Sequence, residues 1–392
     1  MKATLKVGEL LSAIKKGSAA IKLNPKEKGV YHGHGIIAVN GDRLGVRAVV
    51  SNSSSIDIAK PASLGPLSTD GQCCLSLLKL MRLLSPLGKE KEVEFRYDAP
   101  GDLDSVGKVV FKCGKSTWDM SCIDHRLIPS VGASGGKKGL RITKENLKAA
   151  ISSIAFAANL KDSAFINTNI CVSGADGKIL FGATDGIRCA TKILHTDSTD
   201  EVDRFLLPVE LTKSAVQFFE KGDIEIFLED GSVRLQQGGF FVRFALPDAS
   251  DVKKFPQFEK MVGGKYPFAI RVMRTRLISV IETCKENNFE ECLLVFNGDA
   301  LEATSFDPVN GVNYKSSVSY TGDKLNFEVG VCPIYFYEYL KTVDAEVLHF
   351  EFPFNDKKPP HIKVSDGEGT FYLMKTLADL IYLPTDGQDN AD

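Results

Sequence analysis

The sequence predicts an α+β fold built three times over, and three observations carry the prediction. A short alternating strand running into an amphipathic helix occurs six times, in pairs. Strand-like, period-two segments with glycine-containing turns follow the second member of each pair. Successive pairs repeat at about 125–135 residues, the size of one domain, and a chain of 392 residues exceeds what one hydrophobic core usually organises.

The first members are "ATLKVGELLSAIKKGSAAI" (3–21), "LRITKENLKAAISSIAFAANL" (140–160) and "FAIRVMRTRLISVIETCKE" (268–286); the second are "CCLSLLKLMRLLSPLG" (73–88), "FLLPVELTKSAVQFFEKG" (205–222) and "FEVGVCPIYFYEYLKTV" (327–343). Val7, Leu10, Leu11, Ile14, Ser18 and Ile21 share one stripe of the first helix, as do Leu147, Ala150, Ile151, Ile154 and Ala158 in the third and Leu277, Ile281 and Cys284 in the fifth. "EVEFRY" (92–97), "DIEIFLEDGSVRLQQGGFFVRFAL" (223–246) and "VLHFEFPF" (347–354) alternate as half-buried antiparallel strands. Each third therefore reads as two helices placed against one sheet face. Gly/Ser-rich "PSVGASGGKKG" (129–139) and "MVGGKYP" (261–267) mark the boundaries, giving domains 1–132, 133–262 and 263–392.

Composition narrows the classes. A 43% hydrophobic and 25% charged chain is ordinary for a globular protein, and there is neither a signal-peptide pattern nor an apolar run long enough for a membrane helix. Nine scattered cysteines without Cys-x-x-Cys read as buried free thiols in a reducing compartment. A net charge of −2 argues against a protein that coats nucleic acid, so the location of the cations matters more than their sum. The helical stripes leave Lys15, Lys16 and Lys22, then Lys144 and Lys148, then Arg274, Arg276 and Lys285 away from the core; the second helices add Lys79, Arg82, Lys213, Lys221 and Lys341. Gathered on one surface, such flexible cations would meet phosphates rather than base edges.

Catalytic signals are thin. The 129–139 loop lacks the Gly-x-x-x-x-Gly-Lys-Ser/Thr spacing of a phosphate-binding loop. His32 and His34 share a face but have no third ligand at a suitable spacing, so neither an enzyme nor a metal or other cofactor is expected. The sharpest short motif is "ILFGATDGIRCA" (179–190), whose Asp-Gly marks a hairpin turn. Thr184, Asp185, Gly186 and Arg188 form either that turn alone or the lip of a binding site.

The triplicated unit, "ATDGIRCA", "KKFPQFEKMV" (253–262) and "GTFYLMKTL" (369–377) together resemble the bacterial DNA polymerase III beta subunit, the sliding clamp family, over nearly the whole chain. The resemblance implies a cytoplasmic, nucleoid-associated homodimer closed head to tail into a ring of clamp-type domains. Helices would line a channel around duplex DNA, and the ring would serve the polymerase as a processivity factor; a clamp-like scaffold that never encircles DNA is the alternative. It also implies a groove that takes short linear peptides of polymerase, clamp loader and repair proteins. The matching positions are Ile166, Thr184, Gly186, Ile187, Arg188, Cys189, Pro256, Lys260, Met261, Phe289, Tyr372, Leu373 and Met374. Apolar anchors would fill the pocket, with Gly186 permitting close backbone approach and Arg188 bonding a peptide carbonyl or carboxylate. By the same likeness, Lys26, Lys28 and Lys161 would touch DNA, and Trp118 and Met120 would meet Thr283 and Cys284 across the subunit seam. The chain departs from the family at Cys189 (usually Leu), at Lys375 (usually Pro) and in continuing as "ADLIYLPTDGQDNAD". Within this tail "DLIYL" is similar to groove-filling peptides, although a solvated or packed tail is the plainer expectation.

Overall fold

The computed structural model describes residues 1–23, 33–51, 54–98, 107–125, 128, 137–158, 168–197, 201–229, 231–246, 249–264, 266–357, 359, 361–367 and 369–375. In chain order, β1 (Lys2–Lys6) feeds α1 (Val7–Leu23), followed by β2 (His34–Asn40), β3 (Arg43–Ser51), β4 (Ser54–Pro61) and β5 (Gly71–Ser76). Then come α2 (Leu77–Leu84), β6 (Glu92–Asp98), β7 (Lys108–Cys113) and β8 (Ser116–Ser121). The middle of the chain opens with β9 (Lys137–Thr143), α3 (Lys144–Ile154) and a 3-10 turn at Ala155–Ala157, then β10 (Asn169–Ala175), β11 (Lys178–Thr184), β12 (Arg188–His195) and β13 (Val202–Pro208). It continues with α4 (Val209–Val216), β14 (Asp223–Glu229), β15 (Ser232–Gln237), β16 (Phe240–Ala245), α5 (Ala249–Lys254) and α6 (Phe258–Val262). The last part comprises β17 (Phe268–Met273), α7 (Arg274–Glu286), β18 (Cys292–Gly298), β19 (Ala300–Asp307), β20 (Val312–Gly322) and β21 (Leu325–Val331). It closes with α8 (Pro333–Thr342), β22 (Val347–Phe352), β23 (His361–Ser365) and β24 (Thr370–Lys375).

All six strand-to-helix units form where the periodicity puts them. The expected stripes are buried: Val7, Leu10, Leu11, Ile14 and Ser18 in α1; Leu147, Ala150, Ile151 and Ile154 in α3; Leu277, Ile281 and Cys284 in α7. α4 is shorter than its pattern. It stops at Val216 because the next amides close tightly on Ser214 and Ala215, and Lys144 donates to the freed Gln217 and Phe219 carbonyls. Lys221 therefore lies beyond the helix, and the Lys144 ammonium is committed to backbone oxygens.

The described residues divide into two compact units, 1–148 with 210–248 and 149–209 with 249–392. In the first, β1-β6-β7-β8 form one antiparallel sheet and β5-β2-β3-β4-β16-β15-β14-β9 another. The second sheet is continuous through the β4–β16 pairing, which joins strands about 185 residues apart in sequence, such as Asp57 opposite Phe241. Behind that seam lies a buried ionic network. Arg243 donates to Asp57 (3.3 Å) and Glu229 (3.1 Å), Arg47 pairs with Asp57, Arg234 with Glu229 (2.6 Å), and Ser55 and Ser232 supply further hydrogen bonds to the same carboxylates.

The second unit carries a single sheet in the order β13-β10-β11-β12-β24-β23-β22-β17-β20-β19-β18-β21. α7 and α8 pack against each other here, and an aromatic stack of Phe336, Tyr339 and Tyr372 fills the space beneath, with Tyr339 and Tyr372 rings 4.6 Å apart. All three are fully buried, together with Phe350 and Phe352.

Candidate functional site

The Ala-Thr-Asp-Gly segment closes the β11–β12 hairpin, with Thr184 paired to Cys189 across it. Asp185 builds the turn: its Oδ1 accepts from the amides of Ile187 and Arg188, both at 3.0 Å, while the Thr184 hydroxyl accepts from the Gly186 amide (3.0 Å) and donates to the Arg188 carbonyl (2.7 Å). This is the self-bonding for which Asp and Thr are favoured in turns. Gly186 sits at φ +88°, and open space surrounds the place a Cβ would take, so its dihedral is what requires glycine there.

Arg188 is held in a clip of four hydrogen-bond partners. Its Nε donates to Asp185 (3.1 Å), Nη1 to Glu338 (2.6 Å) and the Tyr335 carbonyl (3.4 Å), and Nη2 to the Phe156 carbonyl (2.7 Å). The guanidinium also lies 4.1 Å over the Tyr335 ring. Burial opposes its charge, but Glu338, Tyr372 and Asp185 outweigh that and hold its pKa above the ordinary arginine value. Arg188 ties the turn to the 3-10 segment and to α8.

Around this clip the expected groove residues differ in exposure. Ile187 is 46% exposed at the tip of the turn. Cys189 is buried in a cluster with Cys171, Leu180, Leu206, Phe255 and Phe258, so α5 and α6 cover it. Phe258 also seals Gly182, where an added Cβ would collide with its ring. Pro256 is half-buried and Lys260 exposed, and Met261 follows in α6. Tyr372 is fully buried and donates its hydroxyl to the Tyr335 carbonyl (3.2 Å); Leu373 and Met374 follow on β24, opposite Cys189 and Arg188. Phe289 belongs to the core instead, 4% exposed and stacked on Tyr314 at 6.4 Å. Ile166 lies outside the described residues.

A pocket of about 520 Å³ opens over Leu180, Ile193 and Val202. Its rim holds Glu259, which accepts from Ser173 (2.9 Å) and pairs with Arg204. Burial pushes the Glu259 pKa up, but its hydrogen bonds and Arg204 prevail and leave it below the usual glutamate value.

The cation candidates vary as well. Lys15, Lys79, Arg82, Lys148, Lys213, Lys221, Arg276 and Lys341 are exposed. Lys16 is paired with Glu220 at 3.2 Å. Arg274 is half-buried and caps α8 from the side, donating to the carbonyls of Leu340 (2.9 Å) and Ala345 (3.1 Å). Lys22 lies in the last turn of α1, while Lys26, Lys28 and Lys161 lie outside the described residues. Of the seam candidates, Trp118 is half-buried on the edge strand β8, stacked on Phe111 at 5.6 Å, and Thr283 is half-buried. Met120 is buried, and Cys284 is fully buried with its sulfur 3.3 Å from the Ser305 hydroxyl.

Sequence reasoning missed Tyr335, Glu338 and Phe156, which complete the Arg188 clip, and Phe258, which covers Cys189. The aromatic run "YFYEY" at the start of α8 was the available signal for the first two. Among the described residues no group of His, Cys, Asp and Glu could hold a metal, and no described helix is long and apolar enough to cross a membrane.

This architecture is that of a clamp-type protein. Residues 141–256 match the family described as DNA polymerase III beta subunit, central domain. The beta sliding clamp of Chlamydia pneumoniae is 20% identical over 240 residues, 59% of this chain and 62% of that one; the clamp of Chlamydia muridarum is 22% identical over 248 residues, 61% and 65% respectively. The matched stretch thus spans under two thirds of the length of these curated relatives. A crystal structure of the DNA polymerase III subunit beta from Pseudomonas aeruginosa superposes with a TM-score of 0.79, covering 96% of this chain and all of that one at 18% identity. The chain is thus similar to the DNA polymerase III beta subunits, through the family match over residues 141–256 and through a fold shared over nearly its whole length.

Proposed function

We propose that this chain is a sliding clamp, without catalytic activity, that works in the cytoplasm. Three domains, 1–132, 133–262 and 263–392, would close with those of a second copy into a ring around duplex DNA. The ring tethers a polymerase and other partners that dock short linear peptides at the Thr184–Arg188 wall. The observation that carries this is the sixfold strand-to-helix repeat matched over nearly the whole chain by a beta subunit structure. The exposed cations Lys15, Lys79, Arg82, Lys148, Lys213, Lys221, Arg276 and Lys341 suit such a role, since long solvated cationic side chains neutralise phosphates without reading bases. Enclosure lets those interactions stay weak, so the ring is retained while it moves.

The test is topological. Loaded on nicked circular DNA, the protein should stay bound and should be released once the circle is cut. Release from both forms at the same rate would replace the clamp with a scaffold that gathers peptide-bearing partners without encircling DNA.

A further inference from the structure

We propose that the pocket over Leu180, Ile193 and Val202 is a docking site for a segment of a partner protein that inserts one bulky apolar side chain between flanking lysines or arginines. It is separate from the Thr184–Arg188 wall and does not depend on ring formation.

The strand register explains where the pocket lies. Side chains alternate along β11, so Leu180, Gly182 and Thr184 share one face. Gly182 stands opposite Cys171 and Thr191, and Leu180 opposite Ser173 and Ile193. The chain itself covers the first of these rows, since the Phe258 ring fills the space that a Cβ on Gly182 would enter. α6 then runs out at Val262, and over the second row, beside Gly263, the pocket of about 520 Å³ opens instead. Such a volume falls within the roughly 300–1,000 Å³ of ligand clefts. Its floor is the same kind of surface that an aromatic ring already seals one row along: Leu180 and Ile193 belong to the cluster of Phe255 and Phe258. Thr184 lies four residues further on β11, about 13 Å away.

The walls are held in place. Asp176 (φ +52°) and Gly177 (φ +69°) make a two-residue turn, and the Gly177 carbonyl accepts from the Thr196 amide (2.9 Å). Glu259 accepts from Ser173 (2.9 Å) and pairs with Arg204, which also donates to the Pro256 carbonyl (3.5 Å). A pocket tied on both sides needs little ordering to receive a ligand. The same bonds decide the charge of the rim. Arg204 and Glu259 offset each other, which leaves Asp176, Glu201 and Asp203 against Lys178, all four exposed. An apolar floor under a net acidic rim complements an apolar anchor with basic neighbours and repels one with acidic neighbours.

The test uses a dye-labelled synthetic heptapeptide, a central Phe with three lysines on each side, followed by fluorescence anisotropy at low salt. It should bind the full chain saturably, and should lose at least about tenfold in affinity when the Phe becomes Ala or the lysines become Glu. Ala175→Trp, which brings an indole into the pocket from its exposed rim, should abolish binding. Glu201→Lys combined with Asp203→Lys should weaken it at least about tenfold, and because both side chains are exposed this variant serves even if Ala175→Trp unfolds. Ile187→Asp, at the wall assigned above to polymerase peptides, should change nothing. Equal affinity for the Phe and Ala peptides would show charge attraction without an anchor and overturn the proposal. Absence of saturable binding, or binding that survives both pocket variants, would do the same. Loss with Ile187→Asp alone would move the peptide to the Thr184–Arg188 wall and remove this pocket as a site.

Discussion

Arg188 shows how one side chain can hold several elements together. Its planar guanidinium meets two carboxylates and two carbonyls at once, which a lysine ammonium cannot reproduce. Arg188→Ala should destabilise the protein by about 2–4 kcal/mol in urea unfolding, because Asp185 and two carbonyls lose their donor, and Arg188→Lys should recover only part of that. Glu259 gives a pH signature. Its folded pKa lies below the unfolded value, so its contribution is complete above the ordinary glutamate range and is lost as pH falls through the folded pKa. Amide exchange in α6 should therefore quicken in acid, and Glu259→Gln should remove that dependence. Desolvation pushes the thiols of Cys74 and Cys171 up to about 12, and Cys332 alone of the nine is not buried. Native labelling near neutral pH should modify Cys332 first, and rapid labelling of several sites would contradict the packing.

At the scale of elements, the covering of β11–β12 by α6 depends on a missing side chain. Gly182→Ala would drive a methyl into the Phe258 ring, with an expected cost of about 1–3 kcal/mol from overpacking, and Phe258→Leu in the same chain should relieve part of it. The β4–β16 seam depends on charge. Asp57→Asn should cost about 3–5 kcal/mol, since Arg243 would keep its burial while losing a counterion, whereas an apolar replacement of the whole network would cost far less. Thermal or chemical unfolding of the single and combined variants measures both effects.

For the whole molecule, the proposed ring makes two demands. The solution mass should be twice that of the chain. Lys15→Glu and Lys148→Glu should each weaken DNA retention, and should lower the salt slope of binding by about 0.9 for every phosphate left unneutralised, with little change in unfolding, because both side chains are exposed. Unchanged retention on circular DNA would remove these lysines from the DNA-facing set.

The sequence by itself determined the order of elements, the six strand-to-helix units, their buried stripes and the Asp-Gly turn. These rest on local periodicity and turn chemistry, which neighbouring residues carry whatever the tertiary context. Only the tertiary structure decided which candidate side chains remain available. Cys189, Phe289, Met120 and Cys284 share their types with groove and seam residues, yet α6, Tyr314 and the cores around them take up their surface. Arg274 and Lys144 look like free cations along the chain until carbonyls about 66–75 positions away claim them. Burial and hydrogen-bond partners are non-local quantities, fixed by strands such as β4 and β16 or β12 and β24 that meet only when the chain has folded.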